Sequence, residues 1–438
     1  METLLTAVRT IQACLWNFSM PAILLGTHIY FTLRLGIIQK RIPEGIRLSF
    51  ARAEGGTGNV SPYSALATAL AATIGTGNII GISTAIAVGG PGAVFWCWLT
   101  GVFGIATCYA ESFLSVKYRV KAPDGSCVGG PMYVLEHVLH KKGAALCFSV
   151  FAVLASLGIG SSVQAYSISA AVQGQIEISP QIIGITTAFL AGIVILGGGK
   201  QIAKVCTFLV PVMSLFFLGG CFFIMGKNAS YLPETLRVII CSAFSSKSFL
   251  GGISGTAVMN VMRVGISRGL FTNEAGLGSI PMAAASARTT SPVHQGLVSM
   301  TGTFWDTVVM CAITGITIVS SMIKNPVKYL GVPSDRLCFI AFFELPYRGD
   351  TILSISLVLF AFATIIGWNY YGECAVRYLG GEKGVSGYRI IYLFAVYLGA
   401  VMSLELVWGI SDLFNSFMAI PNIFCIWMLR GMIVKETK

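Results

Sequence analysis

The chain has 438 residues, of which 55% are hydrophobic and only 11% are charged, and its mean hydropathy is +0.78. A soluble domain carries about 25% charged residues, so this composition excludes a soluble protein and indicates an integral membrane protein that crosses the bilayer as helices. The 29 Lys and Arg outnumber the 18 Asp and Glu. These basic residues lie between the apolar runs, as the positive-inside rule predicts, so we expect a lipid bilayer and no nucleic acid as the partner.

Apolar runs of about 20 residues, the length that spans a bilayer, recur along the whole chain. The eleven predicted spans lie near residues 13–38, 63–89, 92–116, 144–173, 181–198, 201–226, 250–287, 295–322, 351–378, 388–406 and 408–430. With the N-terminus outside, the segments that face the cytoplasm hold more than twice as many Lys and Arg as the segments on the other side. The sequence therefore predicts an all-α, multi-pass protein of the plasma (inner) membrane with its C-terminus in the cytoplasm.

Two of the predicted spans are interrupted by glycines and polar residues. The second contains "ATIGTGNIIG" at residues 72–81, and the seventh contains "RGLFTNEAGLGS" at residues 268–279. The two breaks are five spans apart, which divides the chain into two five-helix halves of opposite topology, and such paired breaks point to the central site of a transporter. We therefore expect an extra N-terminal helix and basic loop (1–62), a first repeat (63–226) and a second, inverted repeat (250–430).

The breaks suit the binding of an amino acid and a cation. A broken helix leaves N–H and C=O groups that lipid cannot solvate, and these groups attract a carboxylate and a cation respectively. Glycine-rich patches in membrane helices also serve close packing, and for residues 72–81 alone this alternative stays open. Packing does not explain Asn273 and Glu274 at membrane depth, where a charged residue marks function by default.

Five stretches of the sequence resemble the alanine or glycine:cation symporter (sodium:alanine symporter) family. They are "ATIGTGNIIGISTAI" (72–86), "GGPGAVFW" (89–96), "GGPMYVLE" (129–136), "GLFTNEAGLGS" (269–279) and "FAFATIIGWNYYGE" (360–373). The resemblance runs from the first span to the last. It implies the leucine-transporter (LeuT) fold of the amino acid-polyamine-organocation superfamily, with ten core helices in two inverted repeats, and symport of a small neutral amino acid with Na⁺.

The resemblance also implies where the two substrates bind. It places a Na⁺ site at the carbonyls of Ala71, Ile74 and Phe360 and the hydroxyl of Thr364, although this chain has Ala363 where family members commonly carry a second hydroxyl. The expected amino-acid site draws on both breaks and two further spans, at Thr73, Gly75, Thr76, Gly77, Asn78, Gln164, Phe271, Thr272, Asn273, Gly276 and Trp368. For Gln164, Phe271 and Trp368, an interhelical hydrogen bond or ordinary packing remains an alternative.

Several further polar residues lie in or near predicted spans without an obvious partner. These are Glu111, Asp306, Glu373 and Asp412. We expect Glu111 to pair with a basic residue, and either Arg263 or Arg268 to pair with Glu274.

We predict a monomeric symporter that imports alanine or glycine with Na⁺ by alternating access, without an organic cofactor. The main alternative is a proton-coupled symporter of small amino acids, or of D-amino acids, with the same fold. A channel is disfavoured because the third, fifth and sixth spans are almost wholly apolar. An intramembrane enzyme is disfavoured because the sequence contains no His, Cys and Asp constellation of the kind that catalysis or metal binding requires.

Overall fold

A computed structural model describes residues 10–12, 15–51, 56–123, 125–244, 258–402 and 405–437, without the side chains of residues 17 and 405–410. This part of the chain is almost entirely helical. In chain order the first ten α-helices are α1 (Met20–Arg34), α2 (Ile42–Phe50), α3 (Pro62–Thr73), α4 (Ile80–Gly89), α5 (Gly92–Lys117), α6 (Pro131–His137), α7 (Lys142–Ala155), α8 (Val163–Gln173), α9 (Pro180–Ile195) and α10 (Gly198–Lys227). The remaining nine are α11 (Leu232–Ala243), α12 (Val258–Asn273), α13 (Ile280–Ala284), α14 (Pro292–Thr303), α15 (Ala312–Lys324), α16 (Leu337–Phe342), α17 (Gly349–Val401), α18 (Glu405–Met428) and α19 (Arg430–Thr437).

Within the described residues, five helical stretches are long and apolar enough to cross a membrane unaided. They are Gly92–Lys117, Lys142–Gln173, Gly198–Lys227, Pro292–Lys324 and Gly349–Val401. Three bent helix pairs raise the number to eight, namely Met20–Arg34 with Ile38–Phe50, Pro62–Thr73 with Thr76–Gly89, and Ser411–Met428 with Arg430–Thr437. The protein is therefore an integral membrane protein, while the count of eleven spans, the three-part division of the chain and the two inverted halves stay predictions.

The structure differs from the predicted spans in several local features. Two of the long stretches contain π-helical turns, at Ser156–Ser162 and Phe304–Cys311. Gly349–Val401 covers two predicted spans, which meet at Gly381 because its φ of 66° and ψ of −167° are not helical. The structure also contains a short antiparallel pair of strands, β1 (Val120–Lys121) and β2 (Cys127–Val128). Part of the seventh predicted span, residues 250–257, lies outside the described residues.

The buried core is built around α5 and α17. Helix α17 packs against α7, α8, α9, α10 and α3, and α5 packs against α1, α12, α13 and α14. Since α3 and α12 are the first parts of the two broken helices, each of these central helices supports one break.

Candidate functional site

The first break is held open by a side chain of its own segment. Helix α3 ends at Thr73, and the backbone of Ile74 leaves the helical conformation with a ψ of 93°. In an uninterrupted helix the N–H of Gly75 would bond the carbonyl of Ala71, four residues earlier. Here the Gly75 N–H donates instead to Asn78 Oδ1 at 2.9 Å. The carbonyl of Ala71 therefore lacks its helical donor at the end of α3.

Helix α17 packs so closely against the same break that there is no room for a side chain between them at two glycines. A Cβ on Gly75 would lie 2.6 Å from Thr364 Oγ1, and a Cβ on Gly367 would lie 2.6 Å from the backbone N of Ala72. The Thr364 hydroxyl donates to the carbonyl of Phe360 at 3.1 Å. Only glycines allow this approach, and it brings the Thr364 hydroxyl beside the open end of α3.

The groups at this junction fit a monovalent cation. The carbonyls of Ala71, Ile74 and Phe360 and the hydroxyl of Thr364 supply neutral oxygen atoms, which hard cations prefer. Unwound carbonyls and half-helix C-termini hold Na⁺ in transporters that contain broken helices. Among the described residues, no group of three or more His, Cys, Asp or Glu side chains could hold a metal ion.

A third element reaches the first break from the π-helical turn between α7 and α8. Gln164, at the start of α8, accepts a hydrogen bond from the Thr76 hydroxyl at 3.1 Å and donates to the carbonyl of Ile159 at 3.1 Å. In the described structure the backbone N–H groups of Thr76 and Gly77 donate to no protein acceptor. They are therefore the free amides of the break, whereas the Gly75 amide is taken by Asn78.

The second break begins where α12 ends and contains three residues with positive φ. These are Glu274 (54°), Gly276 (86°) and Gly278 (87°). Asn273 Oδ1 accepts the N–H of Ala275 at 3.0 Å and so caps this turn, while the Thr272 hydroxyl donates back to the carbonyl of Arg268 at 2.7 Å. A Cβ on Gly77 would lie 3.6 Å from Thr272 Oγ1, so the two breaks lie side by side.

Glu274 is bound by neutral groups. The Ser279 hydroxyl donates to Glu274 Oε2 at 2.5 Å, and the Trp368 indole N–H donates to Oε1 at 3.1 Å. Trp368 is fully buried, and its Cβ packs against Gly160 of the π-helical turn. The expectation that Arg263 or Arg268 pairs with Glu274 is therefore wrong. The bond from Trp368 joins α17 directly to the second break.

A second buried carboxylate, that of Asp306, contacts the first break. Asn78 Nδ2 donates to Asp306 Oδ1 at 2.8 Å, and the Thr307 hydroxyl donates to Oδ2 at 2.7 Å. The sequence singled out Asp306 only as an acidic residue inside an apolar run and gave no reason to pair it with Asn78. A lone acidic residue at membrane depth was the available signal.

Gly276 lies on the side of the second break that faces α1 and α18. Its carbonyl accepts from Asn422 Nδ2 at 2.9 Å, and the same amide donates to Glu111 Oε2 at 2.9 Å. A Cβ on Gly276 would lie 2.7 Å from Leu24 of α1. The expectation of a basic partner for Glu111 is therefore wrong, because Asn422 is its partner. Gly276 contacts α1 and α18.

Phe271 lines a cavity of about 210 Å³ beside the second break. The cavity also contains Arg268 and Asp412, and Gln12 donates to Asp412 Oδ2 at 2.5 Å. The structure thus brings the residues of the first break together with Gln164, Thr272 and Thr364, and places Phe271 at an adjoining cavity. Thr73 is buried at the end of α3.

Two helices broken beside each other, with free backbone groups facing a third helix, define a secondary transporter of the broken-helix class. Solved structures with this fold include a Na⁺-coupled sialic acid symporter in a substrate-bound outward-open state, with a TM-score of 0.59, 13% identity, and coverage of 93% of this chain and 85% of that one. MhsT in complex with L-phenylalanine has a TM-score of 0.60, 14% identity, and coverage of 86% and 90%. At these identities the likeness establishes the fold, which is LeuT-like.

The chain belongs to the sodium:alanine symporter family, whose sequence profile matches residues 1–438. It is 43% identical over 438 residues to the sodium/alanine symporter AgcS of Methanococcus maripaludis, covering 98% of this chain and 96% of that protein. It is also 35% identical to a probable sodium/glutamine symporter, GlnT, of Bacillus subtilis, covering 97% of this chain and 88% of the relative. A third relative, YrbD of B. subtilis, is a putative sodium/proton-dependent alanine carrier, 34% identical over 96% of this chain and 89% of its own length.

Proposed function

We propose that this protein imports a small neutral amino acid, alanine or glycine, together with Na⁺ by alternating access. The observation that carries the proposal is the junction of the first break with α17, where Thr364 Oγ1 lies 2.6 Å from the position of a Cβ on Gly75. A hydroxyl and unwound carbonyls meet there beside free amides. The Methanococcus relative that shares 43% identity is named as a sodium/alanine symporter, which supports Na⁺ and alanine as the two substrates.

In the proposed cation step, Na⁺ binds the carbonyls of Ala71, Ile74 and Phe360 and the hydroxyl of Thr364. The Thr364 hydroxyl now donates to the Phe360 carbonyl at 3.1 Å, and it turns a lone pair to Na⁺ when the ion binds. Because these ligands come from two helices, the bound ion ties the end of α3 to α17. The amino-acid site beside this junction is thereby ordered, which couples the two substrates.

In the proposed amino-acid step, the substrate carboxylate accepts hydrogen bonds from the N–H groups of Thr76 and Gly77. The substrate ammonium group binds carbonyls of the second break near Phe271, Thr272 and Asn273. Gln164 contacts the site through Thr76. Phe271 and the buried Trp368 limit the room for a side chain, which favours alanine and glycine over larger amino acids.

The test is uptake of radiolabelled alanine and glycine into proteoliposomes, with Na⁺ and H⁺ gradients imposed separately. We expect a Na⁺ gradient to drive uptake and an H⁺ gradient alone to fail. Uptake driven by H⁺ without Na⁺ would replace the proposed coupling ion, and an absence of uptake of either amino acid would overturn the substrate class.

A pair of variants tests the cation site. Thr364→Val removes the proposed hydroxyl ligand, and we expect the Na⁺ concentration for half-maximal uptake to rise by about tenfold, which corresponds to about 1.4 kcal/mol. Ser356→Ala is the matched control, because Ser356 is buried on the same helix and donates to the carbonyl four residues earlier at 2.9 Å. Equal Na⁺ dependence in the two variants would remove Thr364 from the site.

A further inference from the structure

An apolar cavity lies between the first broken helix and α10. It has a volume of about 260 Å³ and is bounded by α2, α3, α10 and the π-helical turn Phe304–Cys311. Its lining includes Phe50, Tyr63, Leu70, Pro211, Leu215 and Met310. A cavity with such walls stays dry and binds apolar molecules, as a cavity of about 150 Å³ already does.

Exposed apolar side chains surround the mouth of the cavity. Phe50 is 70% exposed, Leu215 is 71% exposed and Trp305 is 38% exposed. Large apolar side chains with this exposure, on helices of a membrane protein, contact lipid chains. The molecules that can enter the cavity are therefore the lipids that surround the protein.

Two exposed basic side chains lie on helices that bound this cavity, α2 and α10. Arg47 is exposed on α2, one turn before Phe50. Lys204 is exposed on α10 and shares a helical face with Pro211 and Leu215, about 10 Å along the axis from Pro211 at 1.5 Å per residue. Arg41 is bound to Glu44 at 2.7 Å, whereas neither Arg47 nor Lys204 forms an ion pair within the described ranges.

We propose that this cavity is a binding site for one anionic phospholipid of the surrounding membrane. One acyl chain fills the apolar cavity between α3 and α10. The headgroup phosphate, which carries the negative charge of the lipid, lies near Arg47 and Lys204. Basic pockets between helices at the cytoplasmic surface favour anionic over zwitterionic headgroups, and α2 and α10 reach that surface in the proposed orientation.

The site would act on transport through the first broken helix. Leu70 and Ile74 line the cavity, and the carbonyl of Ile74 is one of the proposed Na⁺ ligands. An acyl chain in the cavity supports the end of α3 from the lipid side. Resting on the proposed function, we expect anionic lipid to lower the Na⁺ concentration for half-maximal uptake by about threefold.

The direct test measures lipid retention by native mass spectrometry of the delipidated full-length protein, titrated with phosphatidylglycerol or phosphatidylcholine. We expect one phosphatidylglycerol molecule to bind about tenfold more tightly than phosphatidylcholine. The double variant Arg47→Gln/Lys204→Gln removes this preference. Its control, Lys121→Gln/Lys383→Gln, neutralises two exposed basic residues elsewhere and keeps the preference.

A second variant tests the cavity itself. Leu218→Trp fills it and abolishes retention of both lipids, whereas Leu190→Trp places the same ring on the exposed face of α9 and changes nothing. Thermal unfolding of each variant confirms that it is folded. Equal binding of the two lipids to the wild type, or retention unchanged by Leu218→Trp, overturns the proposal. These binding results do not depend on Na⁺-driven uptake, so failure of the proposed function is seen separately.

Discussion

The side-chain oxygen of Asn78 accepts the N–H of Gly75 at 2.9 Å, and this one bond separates the two halves of the first broken helix. The amide group of Asn78 has a second role, since its Nδ2 donates to the buried carboxylate of Asp306 at 2.8 Å. Asn78 thus links an unwound backbone to a carboxylate on another helix. This arrangement leaves the Ala71 carbonyl without the Gly75 N–H donor that a continuous helix would supply.

Asn78→Ala should close the break. Without the Asn78 oxygen, the Gly75 N–H is free to bond the Ala71 carbonyl in the helical manner, which takes that oxygen away from Na⁺. We expect the Na⁺ concentration for half-maximal alanine uptake to rise by about tenfold, or about 1.4 kcal/mol. We also expect a lower unfolding temperature, because the Asp306 carboxylate keeps only the Thr307 donor and an unpaired buried group costs about 1–3 kcal/mol.

Asp306→Asn separates the two roles of Asn78. The substituted amide would still offer an oxygen to Asn78 Nδ2, but it carries no charge. If Asp306→Asn alone reproduces the change in Na⁺ dependence, the effect comes from the carboxylate charge, and the account of the Ala71 carbonyl is wrong.

Gly75→Ala should abolish uptake for a steric reason. The added Cβ would lie 2.6 Å from Thr364 Oγ1, so α17 and the break cannot keep their present approach. The matched control is Gly81→Ala in the same broken span, where a Cβ meets nothing within 4 Å. Uptake and Na⁺ dependence of both variants check this, and equal activity of the two would show that the close approach is not needed.

Trp368→Phe should destabilise the protein through Glu274. Phe keeps a ring in the buried space but removes the indole N–H that donates to Glu274 Oε1 at 3.1 Å. The carboxylate then keeps only the Ser279 donor, and we expect a loss of about 1–3 kcal/mol in unfolding free energy with weaker alanine binding. Trp98→Phe, at an exposed tryptophan of α5, is the control.

Glu274→Gln distinguishes the bond from the charge. Its amide oxygen still accepts from Trp368, and its NH₂ can donate to the Ser279 hydroxyl. We expect this variant to keep its unfolding temperature within a few degrees of the wild type. A loss of stability as large as that of Trp368→Phe would mean that the charge of Glu274, and not the hydrogen bond, holds the second break.

Both breaks were predictable from sequence, but their partners were not. Glycines with polar neighbours inside apolar runs placed the breaks at 72–81 and 268–279, and the structure leaves helical geometry within both ranges. The hydrogen bonds that hold them join residues far apart along the chain: Glu274 with Trp368 (94 residues), Asn78 with Asp306 (228 residues) and Glu111 with Asn422 (311 residues). A single sequence contains each of these polar residues without showing which two helices pack together. The π-helical turns likewise depend on packing and have no local signature.

Ala363→Ser tests the position at which the resemblance to the family leads us to expect a second hydroxyl ligand. Ala363 lies one turn before Gly367, on the face of α17 that packs against the backbone of Ala71 and Ala72. A hydroxyl there adds an oxygen beside the proposed Na⁺ ligands. We expect the Na⁺ concentration for half-maximal uptake to fall several-fold, and an unchanged or higher value would show that Ala363 leaves no incomplete ligand shell.

Arg119 closes the surface where the first broken helix begins and the second ends. Its guanidinium donates to the carbonyls of Ala287 at 2.7 Å and Thr289 at 2.9 Å, and to both oxygens of Thr57 at 2.6 and 2.9 Å. Thr57 also pairs with Thr289 through a β-bridge. Because the two segments belong to different broken helices, one side chain joins them, and in the proposed alternating access the opening of this face would break these bonds.

Arg119→Gln should shift the protein towards states that are open at this face. Cys127 is buried beside the same surface. Its labelling by a thiol reagent reports opening once the exposed Cys147 and Cys241, and Cys14 outside the described residues, are replaced by serine. We expect labelling to become about tenfold faster, since a shift of about 1.4 kcal/mol changes the open population tenfold. Arg288→Gln is the control, because that exposed side chain lies in the same segment and makes no ion pair in the described structure. Equal labelling rates in the two variants would show that Arg119 does not control the opening of this face.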